Sequence, residues 1–163
     1  MGILDEIAAT RGHVSSLWKA LAPDEVFLDA AFRLYRAAMH GEGGLGRVER
    51  ELLCFATSLA NRCAYCVAHH RRHLEAAGLP GTELAALEAG EPLGDARLEA
   101  LRRLAEALAS RADAPPGAFK DALRAQGFTD LEQQQAIQVC AAYGMFNRLA
   151  LALEVPLEPG LAP

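Results

Sequence analysis

The stretch Glu51–Gly78, ELLCFATSLANRCAYCVAHHRRHLEAAG, decides how the chain reads. Arg47 to Asn61 carries Val48, Leu52, Phe55, Ala56, Leu59 and Ala60 as an apolar stripe at helical spacing. Asn61-Arg62 reads as a break, which sets Cys63 at the N-terminal end of a second helix. That helix stops at Gly78, with Pro80 beyond, the order expected of a left-handed cap followed by a residue that cannot continue a helix. The stretch holds three of the four cysteines and three of the five histidines. On a helix, Cys63, Cys66 and His70 fall within about 60° of one another, because i,i+3 and i,i+4 positions share a face. Glu51 stands twelve residues ahead of Cys63, on the preceding helix.

The flanks read as helical scaffolding. Residues 3–21 predict one or two short helices anchored by Trp18 and Leu21. Pro23-Asp24 opens a helix to about His40, with Val26, Phe27, Ala30, Ala31, Leu34 and Tyr35 at helical spacing. It stops at the GEGGLG run, Gly41–Gly46, which lacks the Lys-Ser/Thr of a phosphate loop and reads as a connector. Beyond Gly78, Thr82 caps a short helix through Leu87, and Asp95 caps an amphipathic one. In the latter, Leu98, Leu101, Leu104, Ala105 and Leu108 oppose a charged, solvated face of Arg97, Glu99, Arg102, Arg103 and Glu106. Pro115-Pro116 separates it from a short helix at Ala118–Gln126, closed by Gly127. A capping box at Thr129–Glu132 starts the longest helix, through Val155, with Ile137, Cys140, Ala141, Met145, Leu149 and Ala152 pointing inward. The tail PLEPGLAP reads as irregular. No period-two pattern appears, so the chain is expected to be all-α, a single domain over 1–163 of about seven or eight helices with its core between about 23 and 155.

Composition narrows the function. The net charge of −5 comes with no basic run or face, which argues against nucleic acid. No window supplies the roughly 18 uninterrupted apolar residues of a membrane span. Acidic residues stand where a signal peptide carries positive charge, so a cytoplasmic protein with reduced thiols is expected. Glu6 stands where a myristoylation site needs Ser or Thr.

Three chemistries suit the cluster. Cys54 and Cys140, each alone on an apolar face, read as small core residues, and the pair Cys63 and Cys66 is open to the same reading. A tetrahedral zinc centre would use Cys63, Cys66, His70 and either Glu51 or His73, although structural zinc usually adds a second cysteine knuckle that this chain lacks. Dithiol redox chemistry uses every member. A helix N-terminus favours an anion at Cys63, His70 accepts the Cys66 proton, and Glu51 holds or polarises that relay. One sulfur attacks an oxidant and the other resolves it as an intramolecular disulfide, in a turnover enzyme or in a sensor that turns nothing over. His69 turns away, toward solvent or a subunit contact, while His73 lies one turn beyond His70 on the cluster side.

Glu51, eleven residues, Cys63-Ala-Tyr-Cys66, three residues and His70 resemble the AhpD-like, carboxymuconolactone decarboxylase superfamily, and within it the peroxidase-related branch. The words ERELLCFATSLANRCAYCVAHH and GMFNRLALAL, with Asn147-Arg148, are similar to that branch. The resemblance implies an all-α fold assembling as trimers or hexamers and a thiol peroxidase or disulfide reductase activity without metal or organic cofactor. It implies a hydroperoxide substrate, a dithiol or lipoyl-type electron donor, and a peroxiredoxin as the traditional partner. It makes Cys66 the peroxidatic cysteine, Cys63 its resolving partner, and Glu51 and His70 the relay, whereas the helix-dipole argument favours Cys63 as the more acidic thiol. Alkyl hydroperoxidases of the AhpD type carry a second histidine where this chain has Tyr65, so the relay is expected to lack one member. The decarboxylases lack the cysteine pair, which argues against a lyase.

Overall fold

The second helix of the quoted stretch's pair depends on the first, because every residue from Arg50 to Ser58 of that first helix is buried. A helix hydrophobic or sequestered all round must be surrounded by others. The structure, a computed structural model, describes residues 2–110 and 117–161. Among them are nine helices and no strand: α1 (Ile3–Arg11), α2 (Ser16–Leu21), α3 (Glu25–His40), α4 (Arg47–Ala60), α5 (Ala64–Ala77), α6 (Gly81–Ala89), α7 (Ala96–Ser110), α8 (Ala118–Ala125) and α9 (Asp130–Ala152). Helix α4 is the axis, packed by α5, α7, α9 and α3. Around it Phe32, Phe55, Phe146, Leu52, Leu53 and Leu101 are almost wholly buried. The expected Pro115-Pro116 break lies outside the described residues.

Local chemistry sets most boundaries. Arg62 takes a left-handed conformation at φ 55°, ending α4, and Gly78 does the same at φ 89° after α5. Asp95 Oδ1 accepts from the Arg97 and Leu98 amides at 2.8 and 3.1 Å, capping α7. At the start of α9 the Thr129 hydroxyl and the Glu132 carboxylate exchange hydrogen bonds with each other's backbone amides. Thr82 is not a cap: α6 begins at Gly81, with Pro80 as its N-cap, because proline's fixed φ suits the start of a helix. Helix α9 ends at Ala152 rather than Val155.

Helices α3 and α9 bury different faces from those expected. In α3 the core takes Leu28, Ala31, Phe32, Ala38 and Met39, while Val26, Phe27, Ala30 and Leu34 are exposed. In α9 it takes Ala136, Val139, Cys140, Tyr143, Phe146 and Ala150, leaving Ile137, Met145 and Leu149 half-buried and Ala141 and Ala152 exposed. Each helix carries two apolar stripes, and periodicity alone cannot choose between them. The outward stripes meet, since Leu34, Ala37, Ala141 and Met145 line one apolar groove. The charged face of α7 is also not simply solvated. Arg97 bridges Glu49 at 2.7 Å and Glu132 at 2.5 Å, with its guanidinium 3.7 Å from the Phe128 ring centroid, and Arg102 is buried between Glu99 and Glu106.

The glycine-rich connector between α3 and α4 is wound around Arg50. Its guanidinium, 3% exposed, donates to the carbonyls of Leu45, Ala38, Gly41 and Gly43 and to Gln135 Oε1. A positive charge is tolerated there because dipoles converge on it from every side. Gly44 must lack a side chain: its φ is +69°, and a Cβ would lie 2.1 Å from Gln135 Oε1. Replacing Arg50 by Met keeps the volume but orphans the carbonyls, so Arg50→Met is expected to lose about 2–4 kcal/mol in urea unfolding. A loss under about 0.5 kcal/mol would show that the loop holds itself together.

Candidate active site

The α4–α5 turn builds the site. Helix α4 closes at Asn61, Arg62 reverses the chain, and the Cys63 amide donates back to the Ser58 carbonyl at 3.0 Å. Cys63 is thereby the N-cap of α5, with its sulfur beside the unsatisfied amides of the first turn. The antiparallel return sets Glu51 of α4 against His70 of α5, Oε2 to Nδ1 at 2.7 Å, both buried. His73 Nδ1 lies 3.4 Å from the same oxygen.

Electrostatics divides the labour. Burial alone would raise the Glu51 pKa, but hydrogen bonds from His70 and His73 outweigh it and hold the carboxyl below the usual range. Burial pushes His70 below its ordinary value despite the Glu51 carboxylate. A neutral His70 donating through Nδ1 to Glu51 keeps a lone pair on Nε2, the form of a general base. The two thiols shift one another in opposite directions. Cys63 is held down to about 7, first by the Cys66 thiol and then, against burial, by the Cys66 and Tyr65 amides, while Cys66 is pushed up by its neighbour Cys63 and by burial. The direction agrees with the helix-dipole argument, but its first cause is the partner thiol, with the amides of the helix end contributing less.

Access runs the other way. A cavity of about 50 Å³ is lined by Cys66, His70, Trp18, Tyr65, Tyr143 and Phe146, among others, and Cys63 is not in its wall. Tyr143 packs edge-on against His70 with ring centroids 4.6 Å apart. Burial pushes Cys140 up to about 12 and Cys54 well above its ordinary value, and neither thiol lines the cavity.

The tail supplies a clasp on the cavity's lining residues that the sequence did not suggest. Glu158 accepts from the Ser16 amide at 2.6 Å and the Tyr65 hydroxyl at 3.1 Å, and contacts His69 Nε2 at 2.7 Å. Tyr65, which also accepts from the Leu17 amide at 3.2 Å, ties α2 and the tail to α5. Ser16 and His69 hold the Glu158 carboxyl down to about 2, against burial. His69 does not face solvent: its side chain is 13% exposed, lines the cavity and packs at a tilt against the Tyr65 ring, centroids 4.6 Å apart. The three charge-bearing atoms near enough to share a metal belong to Glu51, His70 and His73, all within 4.8 Å. Neither cysteine joins them, so the zinc set expected from sequence is not the one the fold assembles among the described residues. Glu51, Cys63, Cys66, His70, Tyr65 and His73 are nonetheless brought into one contiguous cluster.

Residues 25–107 match the carboxymuconolactone decarboxylase family. The chain belongs to that family. Family membership places it beside solved structures of the same architecture. A peroxidase-related protein from a Silicibacter species is 25% identical with a TM-score of 0.85, covering 98% of this chain and 84% of the other. A peroxidase-related protein from Ralstonia eutropha, described as having an alkylhydroperoxidase AhpD core, is 26% identical with a TM-score of 0.85, covering 97% and 84%. The debrominase Bmp8, solved with 2,3,4-tribromopyrrole, is 15% identical with a TM-score of 0.79, covering 94% and 82%, a likeness of fold alone. No functionally curated protein is significantly similar to the chain. Among the described residues no helix is long and apolar enough to cross a membrane.

The acidity of Cys63 has a direct readout. Thiolate absorbance near 240 nm is expected to rise with pH around a midpoint of about 7, below the free-cysteine value of about 8.5. Cys63→Ser is expected to remove that step and leave only thiols ionising in the alkaline range. A first step that survives the substitution would assign the acidic thiol elsewhere.

Proposed function

We propose that the chain is a dithiol peroxidase that reduces an organic hydroperoxide through Cys66 and Cys63. The observation that carries this reading is the division between the two sulfurs: Cys66 lines the cavity beside His70, while Cys63 sits behind it as the acidic thiol at the helix N-terminus. Cys66 Sγ attacks the distal peroxide oxygen, the O–O bond breaks, and the alkoxide leaves. The Cys66 proton passes to His70 Nε2 and on to the alkoxide, giving an alcohol and Cys66 sulfenic acid. Cys63, already a thiolate, attacks the Cys66 sulfur, so that an S–S bond forms and hydroxide leaves, taking a proton to become water. Glu51 keeps His70 in the tautomer whose Nε2 is free.

A dithiol of the lipoyl type then restores the pair. Its thiolate opens the disulfide, its second thiol closes on the mixed intermediate, and two electrons and two protons return to Cys63 and Cys66. The chemistry needs no metal or organic cofactor and suits a reducing cytoplasm. Tyr65 stands where a second relay histidine is found in AhpD-type enzymes, and its hydroxyl is engaged with Glu158 and Leu17. The relay then runs through His70 and Glu51 alone, with His73 adjusting the carboxylate.

Free thiols counted before and after one equivalent of an organic hydroperoxide, with peptide mapping, test the reading. The expected result is loss of two thiols as a Cys63–Cys66 bridge that dihydrolipoamide reverses, with Cys54 and Cys140 untouched. Cys66→Ser should lower steady peroxide consumption by at least about a thousandfold, since the attacking group is gone. No thiol loss in the wild type, near wild-type turnover in Cys66→Ser, or a bridge that forms once without turnover overturns the assignment, the last in favour of a sensor.

Assembly of several copies, as trimers or hexamers, is part of the proposal. The outward apolar stripes support it, with Val26 83% and Leu34 41% exposed beside the groove that α9 completes. Sedimentation velocity is expected to show an oligomer that Leu34→Glu weakens, and a wild-type monomer at micromolar concentration sinks this part.

A further inference from the structure

We propose that the hydroperoxide carries a carboxylate, held by Arg11 at the boundary between two adjoining cavities; the inference rests on the peroxidase reading of the same site. The inner cavity, about 50 Å³, contains the Cys66 wall and has room for little more than the reacting group and a short apolar stem. An outer cavity of about 780 Å³ adjoins it, and Arg11, Tyr35 and His73 line both. A volume of that order is what small organic ligands occupy. A substrate that presents its peroxide to Cys66 therefore lays its body past Arg11.

The chemistry around Arg11 selects an anion. In a chain of net charge −5, the outer cavity is lined by Arg11, Arg36, Arg47 and Arg50 against one carboxylate, Glu51. Arg36 is paired with Glu6 at 3.3 Å, Arg50 is saturated by carbonyls, and Glu51 is engaged by His70. Arg11 has no carboxylate partner among the described residues. One terminal nitrogen, Nη1, donates to the Tyr35 hydroxyl, and the guanidinium carbon lies 4.8 Å from the centroid of that ring. Its Nε is buried without a hydrogen-bond partner. The N–H groups of Nε and Nη2 share the remaining edge of the plane, two parallel donors that match the two oxygens of a carboxylate. A buried donor left unmet is unfavourable, and an incoming carboxylate meets it. Tyr35 fixes the opposite edge, so the fork is oriented before the ligand arrives.

The probe is octanoate against 1-octanol, followed by the fluorescence of Trp18, the single tryptophan, which lines the inner cavity. Octanoate is expected to saturate the signal at least about tenfold more tightly than octanol, the discrimination of one charge-assisted fork. Arg11→Gln should bring octanoate to the level of octanol, and Arg11→Lys, which keeps the charge but not the fork, should fall between; circular dichroism checks that both variants fold. Equal binding of the two probes by the wild type, binding of neither, or a preference for octanoate that survives Arg11→Gln overturns the inference. Thiol loss on hydroperoxide is scored separately on the same protein. Arg11-dependent octanoate binding without thiol loss leaves the anion site standing and removes the peroxidase reading. Thiol loss without octanoate preference does the reverse.

Discussion

A carboxylate buried in a helical core has to find donors, and Glu51 finds them in only one place. It is 6% exposed on a helix that is otherwise surrounded by apolar side chains. An ionised carboxylate without partners is strongly unfavourable in such a setting. The imidazoles of His70 and His73 answer that need, and both lie on α5, so the ion-holding contact also fixes how α5 runs back along α4. Shift the pairing by a turn and Glu51 would face Leu74 or the first turn of α5 instead. The register that satisfies the charge is the one that brings Cys66 to the cavity and leaves Cys63 at the helix end. Fold stability and thiol chemistry are set by the same hydrogen bond.

The two sulfurs show why acidity and access need to be separated. The neighbouring Cys66 thiol, with the first-turn amides behind it, makes Cys63 the easier thiol to ionise, yet Cys63 is wholly buried and absent from the cavity wall. Cys66 is harder to ionise but lines the cavity, and the His70 imidazole lines it too. In a coupled pair the first proton released belongs to the pair as a whole. In the proposed peroxidase cycle, one negative charge stored behind the attacking sulfur would serve the second, disulfide-forming step without a further deprotonation.

Much of the fold could be read directly because it is written in local signals. The α4 stripe, the break at Asn61-Arg62, the Gly78 stop and the Thr129–Glu132 box involve residues within a few positions of one another. The grouping of Cys63, Cys66 and His70 was likewise visible, since helical spacing is enough to place it, whereas Glu51 on the preceding helix was joined to it by the spacing of the family that the chain resembles. What escaped reading depends on distant partners. Glu158 meets Ser16, Tyr65 and His69 across separations of 89 to 142 residues, and nothing in PLEPGLAP marks it. His69 was misdirected because helical angle shows which way a side chain leaves α5, not that a tail will be waiting there. The outward stripes of α3 and α9 are apolar enough to pass for core, and only three-dimensional packing tells the faces apart.

The Glu158 clasp bears on the order in which the molecule assembles. Helices α4 and α5 are neighbours along the chain, so their hairpin closes a short loop, whereas the clasp joins positions 16 and 158. Loop-closure entropy favours the hairpin first and the clasp late. During that interval Cys63 and Cys66 are already one helical turn apart, while the α2 side of the cavity, with Leu17 and Trp18, is not yet tied to Tyr65 through Glu158. The proposed Cys63–Cys66 bridge would need no such long-range closure, because its two partners are set one turn apart by α5 itself before the two ends of the chain meet.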